Sequence, residues 1–387
     1  MFPRGAPLSS RAQTSSSSSS ARSGTPSLRR SVGPTPVARA RPPTRIGAAA
    51  AMGTSPAPSA GPPVVTDDLV ALAHDVVEAA GRITAAYFRT GVLADAKSDD
   101  SPVTVADRLA EQAMRALLTE RAPTHAVFGE EYGMSAAASA APAGQGGGSN
   151  SGGGGGDGGG GGGDGGPSSS SSASPAAAAA AGTRSDEGKL GDVPEWLWVL
   201  DPIDGTKSFV TGKPVFGTLA ALLHRGVPVL GVIDQPITRE RWVGVAGRPT
   251  TLNGRPVRAR PCPDIGDAYA YATTPHMFAP GPTEEAWARV RDAVRIPLYG
   301  CDCYAYGLLA AGHVDLVVEA DLKPYDYLAL VPVVEGAGGT ITDWRGEKLR
   351  WRPGAEGTGA AGGGGGEVLA AGDARTHAEA LRLLGWK

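Results

Sequence analysis

Cysteine is scarce: Cys262, Cys301 and Cys303 are the only three in 387 residues. That is too few for a disulfide framework and fits a reducing compartment. Cys301 and Cys303 form a C-x-C pair, but no second Cys or His pair stands at zinc spacing, so structural zinc is not expected. No apolar run approaches the ~18 residues that a membrane-spanning helix needs, so no membrane partner is expected. A large net charge is missing too; the formal value is −3, which argues against a nucleic-acid footprint. One absence is local. Residues 1–66 hold eight Arg and no Asp or Glu, leaving about −11 on the remainder.

The acid-free stretch is also rich in Ser, Pro and Ala, with an unbroken run Ser15–Ser20. An organelle transit peptide has this composition, and there is no apolar core for secretion; an ordinary disordered tail is the other reading. The boundaries drawn are a leader over 1–60 and one folded domain over 61–387. Two segments of that domain, 135–188 and 354–366, are dominated by Gly, Ser and Ala and cannot bury a core. Loop-closure entropy grows slowly with length, so such inserts can loop out without dividing the domain.

The chain's centre is Trp196-Leu-Trp-Val-Leu-Asp201-Pro-Ile-Asp204-Gly-Thr206-Lys-Ser-Phe209. Its apolar half reads as a buried strand. Pro202 biases Asp201 to extended backbone, so this carboxylate should leave the strand end pointing outward. Asp204-Gly205 then reads as a tight turn, with Thr206 placed to cap the helical turn that follows. Two carboxylates, a free Ile203 carbonyl and exposed amides in one turn suit a hard divalent cation shared with a phosphate. A surface turn joining two strands is the plainer reading.

Around this centre the pattern alternates. Thr66 caps a helix opening with Asp67 and Asp68, with apolar residues at helical spacing to about Phe88. Thr104 and Asp107 have capping-box spacing before a second helix. A strand at Ala126–Phe128 enters Gly129-Glu130-Glu131, acids that a solvated loop would also explain. Strands at Phe216–Leu223, Val229–Asp234 and Arg241–Ala246 precede a turn at Asn253-Gly254. A helix over 283–294, another near Cys303–Ala311 and a strand at Val314–Glu319 follow. Pro324 opens a buried helix through Val334, for which Asp326 would be an ordinary cap.

Taken together, Gly129-Glu130-Glu131, Asp201-Pro-Ile-Asp204-Gly-Thr206 and Tyr325-Asp326 followed by Gly336-Ala-Gly-Gly-Thr340 resemble the inositol monophosphatase superfamily. The likeness runs from about residue 66 to the C-terminus, minus the Gly-rich inserts. Thr206–Phe209, Gly212–Gly217 and Asp234-Gln-Pro236 are similar to its histidinol-phosphate phosphatase branch. Tyr299–Tyr304 and Leu322–Tyr325 are similar to the plant proteins of that branch, also described as inositol-phosphate phosphatases.

The resemblance implies an α/β (α+β) fold, a layered αβαβα sandwich, and Mg²⁺-dependent hydrolysis of a small phosphorylated metabolite. It implies two or three Mg²⁺ per site. Glu130, Asp201 and the Ile203 carbonyl would hold one; Asp201, Asp204 and Asp326 the second; Glu130 would help a weaker third. Thr206, hydrogen-bonded to Asp107, would orient the attacking water, with Glu130 as base. The Gly205 and Thr206 amides would cradle the phosphate, and Gly300, Cys301, Asp302 and Glu319 would lie near the leaving alcohol. Lys207 and Asp302 depart from the small residues common in inositol-selective members, which bears on substrate choice. Histidinol phosphate carries a protonated amine, and Glu319 and Asp302 are the acids spare to meet it; a solvated strand end and a helix cap are their plainer readings. Inositol or galactose 1-phosphate is the alternative substrate. A plastid-stroma location and a homodimer complete what the resemblance implies. A catalytically dead relative would be expected to have lost an acid or Thr206, and none is lost.

Overall fold

In a computed structural model of the chain, the described residues are 64–91, 95–96, 102–136, 193–354 and 366–386. All lie in one compact unit, Ala60–Lys387. The expected leader over 1–60 and nearly all of the two expected inserts lie outside the described residues.

The chain opens with α1 (Asp67–Tyr87), capped by Thr66, whose hydroxyl accepts from Leu69 N at 3.4 Å. A short hairpin, β1 (Asp95–Ala96) and β2 (Pro102–Val103), leads to α2 (Val105–Arg121), where Thr104 and Asp107 form the expected capping box. Then come β3 (Ala126–Gly129), β4 (Gly133–Ser135), β5 (Trp196–Asp204), α3 (Thr206–Val210), β6 (Gly217–His224), β7 (Val227–Gln235) and β8 (Glu240–Val245). The hairpin β9 (Thr251–Leu252) and β10 (Arg255–Pro256) turns at Asn253-Gly254, both at positive φ, as its sequence predicts. The second half carries β11 (Tyr269–Ala272), α4 (Pro282–Arg291), β12 (Ile296–Tyr299), α5 (Tyr304–Ala310) and β13 (Leu316–Glu319). It ends with α6 (Pro324–Tyr327), α7 (Leu330–Gly336), β14 (Thr340–Thr342), β15 (Val368–Ala371) and α8 (Ala374–Leu384).

Besides the two-stranded β1–β2 hairpin, two larger sheets form, ordered β10-β9-β8-β7-β6-β5-β3-β4 and β12-β11-β13-β15-β14. Along β5 the side chains alternate between two cores. Trp198 and Leu200 join α1 and α2, whereas Leu197 and Val199 face α5, α7 and the second sheet. A third core covers the far side of the second sheet with α4 and α8. The layers are therefore helices, sheet, helices, sheet, helices, the αβαβα sandwich expected. Burial on both faces explains why β5 and β6 read as continuous apolar runs.

The middle helices touch the first sheet with backbone. A Cβ on Gly231 would lie 1.9 Å from the Ala329 carbonyl oxygen, and one on Gly244 would lie 2.3 Å from the Pro332 carbonyl. Glycine is the residue that permits this approach. The single helix expected from Pro324 to Val334 is instead two, α6 and α7. Pro332 has no N–H to return to the Leu328 carbonyl, which weakens the ladder at the joint.

Candidate active site

A regular strand would put Asp201 and Asp204 on opposite faces, because three is an odd step. Here β5 is bulged. Asp201 pairs with Leu219 and Asp204 with Gly217, so three steps on β5 face two on β6. The extra residue brings both carboxylates to one side, and Thr218 secures it by donating to the Pro202 carbonyl at 2.9 Å. Asp201 does not point out to solvent as expected; it is 1% exposed and accepts the Ile203 N–H at 3.0 Å. Strand β3 runs parallel to β5, and Glu130 N–H extends the pairing to the Leu200 carbonyl at 3.2 Å. This sets Glu130 in hydrogen-bond contact with Asp201. Asp326 enters from α6, accepting the Lys323 N–H at 2.6 Å, so the capping role is real and does not exclude a second one.

Asp201, Asp204 and Asp326 each offer an oxygen, all within 4.8 Å of one another. Burial, then the charge of Glu130, holds Asp201 well above the usual carboxylate range, and burial, then Asp302, does the same to Asp204. Asp326 is pushed up to about 7, by burial first and Glu130 next. Like charges at this spacing, one of them buried and two half-buried, call for a proton or a cation between them. An all-oxygen donor set of this kind fits a hard divalent ion.

The turn after β5 differs from expectation in one respect. Gly205, at φ 83°, is the N-cap of α3, and Thr206 is its first residue rather than its cap. The Thr206 hydroxyl is turned inward. It donates to the Ile203 carbonyl at 3.1 Å, which uses one of that oxygen's two lone pairs, and stands 3.5 Å from Asp107 Oδ1. The other Asp107 oxygen is held by Thr104 N–H and Oγ at 2.8 and 2.5 Å. The capping box thus aims Asp107 at Thr206.

A cleft of about 470 Å³ opens over this cluster, and Glu130, Asp204, Gly205, Thr206, Lys207 and Asp326 line it. Asp302 and Glu319 line it too. Neither has its plainer role. Asp302 sits at φ 46° and accepts from Ser208 Oγ at 2.5 Å, while α5 is capped by Cys303 without a side-chain bond. Its carboxyl carbon would be 2.7 Å from a Cβ on Gly205, so glycine there serves Asp302 as well as the turn. Glu319 is 3% exposed, accepting Thr273 N–H at 3.0 Å and Tyr306 O–H at 2.8 Å, and burial pushes it up to about 7. Gly300 and Cys301 do not line the cleft. The Gly300 carbonyl accepts from Lys213 Nζ at 3.0 Å, and Cys301 packs in the core between the sheets. All three cysteines are free and buried. Among the described residues, no helix is long and apolar enough to cross a membrane.

Three residues were not singled out from the sequence. Ser208 lay inside the central motif but gave no signal of its partner. Tyr306 lay within the helix expected near Cys303–Ala311 with nothing to set it apart. Glu111, fully buried on α2, accepts the N–H groups of Glu131 and Tyr132 at 2.7 and 3.3 Å and so fixes the turn bearing Glu130. Only its spacing from Asp107, one helical turn on, could have placed it on the same face.

The family model described as "Inositol monophosphatase family" matches residues 66–381. The chain is 44% identical over 320 residues to "Bifunctional phosphatase IMPL2, chloroplastic" of Arabidopsis thaliana, covering 83% of this chain and 76% of that one. It is 30% identical over 286 residues to a histidinol-phosphatase of Chlorobaculum parvum, covering 73% and 88%. The solved structure of an inositol monophosphatase from Zymomonas mobilis superposes with a TM-score of 0.60 at 37% identity, covering 83% of this chain and 98% of that one.

Proposed function

The chain belongs to the inositol monophosphatase family, and from that premise we propose that it hydrolyses L-histidinol phosphate to L-histidinol and phosphate with Mg²⁺. The observation that carries the phosphatase reading is the triad Asp201, Asp204 and Asp326, the first buried and the other two half-buried and lining an open cleft. Those three, with Glu130 and the Ile203 carbonyl, would hold two or three Mg²⁺. Bound magnesium supplies neutralisation of the phosphoryl oxygens and an acidified water. Thr206, oriented by Asp107, holds the attacking water in line through its hydroxyl, and Glu130 takes the proton. The Gly205 and Thr206 amides and the Lys207 ammonium bind the phosphate oxygens. Asp107 touches no substrate and acts through Thr206.

The substrate reading rests on Glu319 and Asp302, acids that line the same cleft and that the metals do not need. A leaving alcohol with a protonated amine meets them; an inositol offers only neutral hydroxyls. The Arabidopsis protein's name includes the word "bifunctional"; a second activity on inositol or galactose 1-phosphate is the alternative reading for this chain. The test is phosphate release by the full chain with and without Mg²⁺ on histidinol phosphate, inositol 1-phosphate and galactose 1-phosphate. The expected result is metal-dependent turnover with the highest kcat/KM on histidinol phosphate. Preference for inositol 1-phosphate overturns the substrate, and metal-independent turnover overturns the chemistry.

Residues 1–60 are proposed as a plastid transit peptide ahead of a phosphatase domain over 61–387. Support comes from the acid-free, Arg- and Ser-rich composition and the chloroplastic relative. N-terminal sequencing of the protein recovered from isolated plastids after import reads the cleavage. A homodimer, implied by the resemblance, is read by light scattering.

A further inference from the structure

A second cleft, of about 480 Å³, lies between α1, the β7–β8 hairpin and the Asn253-Gly254 turn. It shares no lining residue with the first. At its floor is the Asp234-Gln-Pro236 motif, for which the hydrolytic site has no use. Gln235 makes the turn rigid: its side chain donates to the Phe216 carbonyl at 3.0 Å and accepts from Ile237 and Thr238 N–H at 2.6 and 2.8 Å.

Charge in this cleft is divided unevenly. The Arg241 guanidinium is consumed internally, by Asp234 Oδ1 at 2.6 Å, Glu78 at 2.8 Å and His74 Nδ1 at 3.3 Å. Asp234 is only 4% exposed, yet its second oxygen has no hydrogen-bond donor among the described residues. That oxygen opens onto the cleft, where it can accept from a ligand's donor. Gly81 on α1 is what leaves the room, since a Cβ there would stand 3.0 Å from that oxygen. Two other cations line the cleft. Arg82 and Arg239 are exposed and have no ion pair among the described residues. Arg239 is also held at φ 60°, an uncommon conformation for a long side chain.

We infer that this cleft binds a small zwitterion of the α-amino acid class. Its carboxylate is taken by the Arg82 and Arg239 guanidinium groups, which suit a planar carboxylate. Its ammonium donates to the open Asp234 oxygen, with Glu78 alongside. A simple anion leaves Asp234 unmet, and a simple cation leaves the arginines unmet. The volume accommodates an amino acid with its side chain.

Thermal shift and titration calorimetry on the full chain in Mg²⁺ test this, with the standard L-amino acids one at a time and with acetate and methylamine as half-ligands. At least one amino acid is expected to raise the unfolding midpoint and bind with Kd of ~1 mM or tighter. Acetate and methylamine are expected to do neither. The double variant Arg82→Ala/Arg239→Ala loses two exposed, unpaired side chains, so it should fold and hydrolyse normally while binding the amino acid at least ~10-fold more weakly. No shift from any amino acid overturns the inference. So does acetate matching the best amino acid, which would make this a plain anion site. A shift surviving in the double variant overturns it as well, because the ligand then sits elsewhere.

Discussion

Asp201 is pressed by Glu130, Asp204 and Asp326 and is itself only 1% exposed. Replacing it by Asn keeps the shape and removes the charge that both metals are proposed to share. Asp201→Asn is expected to lower kcat by at least ~10³-fold, the scale of several kcal/mol of metal-supplied charge stabilisation. The same change relieves repulsion, so the metal-free variant should melt no lower than the parent. Activity above a tenth of the parent at saturating Mg²⁺ would rule out the shared-ligand role. Glu319 separates substrate choice from common chemistry. In Glu319→Gln the amide can still accept from Thr273 or Tyr306, but the negative charge is gone. Truncating one side of a desolvated charge pair costs ~2–5 kcal/mol, so kcat/KM for histidinol phosphate should fall ~30-fold or more. Inositol 1-phosphate hydrolysis should change little; equal losses on both would assign Glu319 to the fold.

Among the elements, two contacts fix where the ligands stand. The α6–α7 joint rests on Gly231, and Asp326 rides on α6. Gly231→Ala puts a methyl group into the Ala329 carbonyl, and such overpacking costs ~1–3 kcal/mol. A lowered melting temperature together with a raised Mg²⁺ requirement is expected; a lower melting temperature alone would mean that the joint does not transmit to Asp326. Glu111 does the corresponding work for Glu130. Its carboxylate, clamped by Arg115 Nε at 2.7 Å, occupies the space that a side chain on Gly129 would need. Glu111→Gln should loosen the turn and raise the half-saturating Mg²⁺ by ~10-fold, on the scale seen when partners that orient metal ligands are lost. Unaltered metal dependence in a destabilised variant would reduce Glu111 to a packing role.

For the whole molecule, the buried acids make stability depend on pH in the opposite sense to ordinary ion-paired carboxylates. Asp201 and Asp204 are raised well above their usual range, and Asp326 and Glu319 are raised to about 7. The folded state therefore binds more protons than the unfolded chain, whose carboxylates titrate near ~4. Stability from this source is complete below that point and is lost as pH rises through about 7. In chelator, the melting temperature should fall steadily from pH ~5 to ~8. Saturating Mg²⁺ should flatten that slope, because the ion replaces the protons. A chelated protein that melts higher at pH ~8 than at pH ~5 would contradict the burial of these charges.

By itself the sequence determined whatever a few neighbouring residues decide. The Thr66 cap, the Thr104–Asp107 capping box, the Asn253-Gly254 turn and the continuous apolar strands are all local. Their backbone geometry follows from side chains within one turn or one strand. The motif residues were legible too, since their combination is specific even though their meeting in space is not written locally. Tertiary structure alone decided the rest. Glu130, Asp201 and Asp326 converge because parallel pairing of β3 with β5 and the glycine-lined seat of α6–α7 bring distant segments together. The bulge in β5 depends on its pairing with β6. Cys301 packs in the core and does not line the cleft, Glu319 is buried where a solvated strand end was the plainer reading, and Asp302, half-buried, accepts from Ser208 where a helix cap was. Burial is a property of everything packed around a residue, and the raised carboxylates follow from burial, so neither could be read from the chain in one dimension.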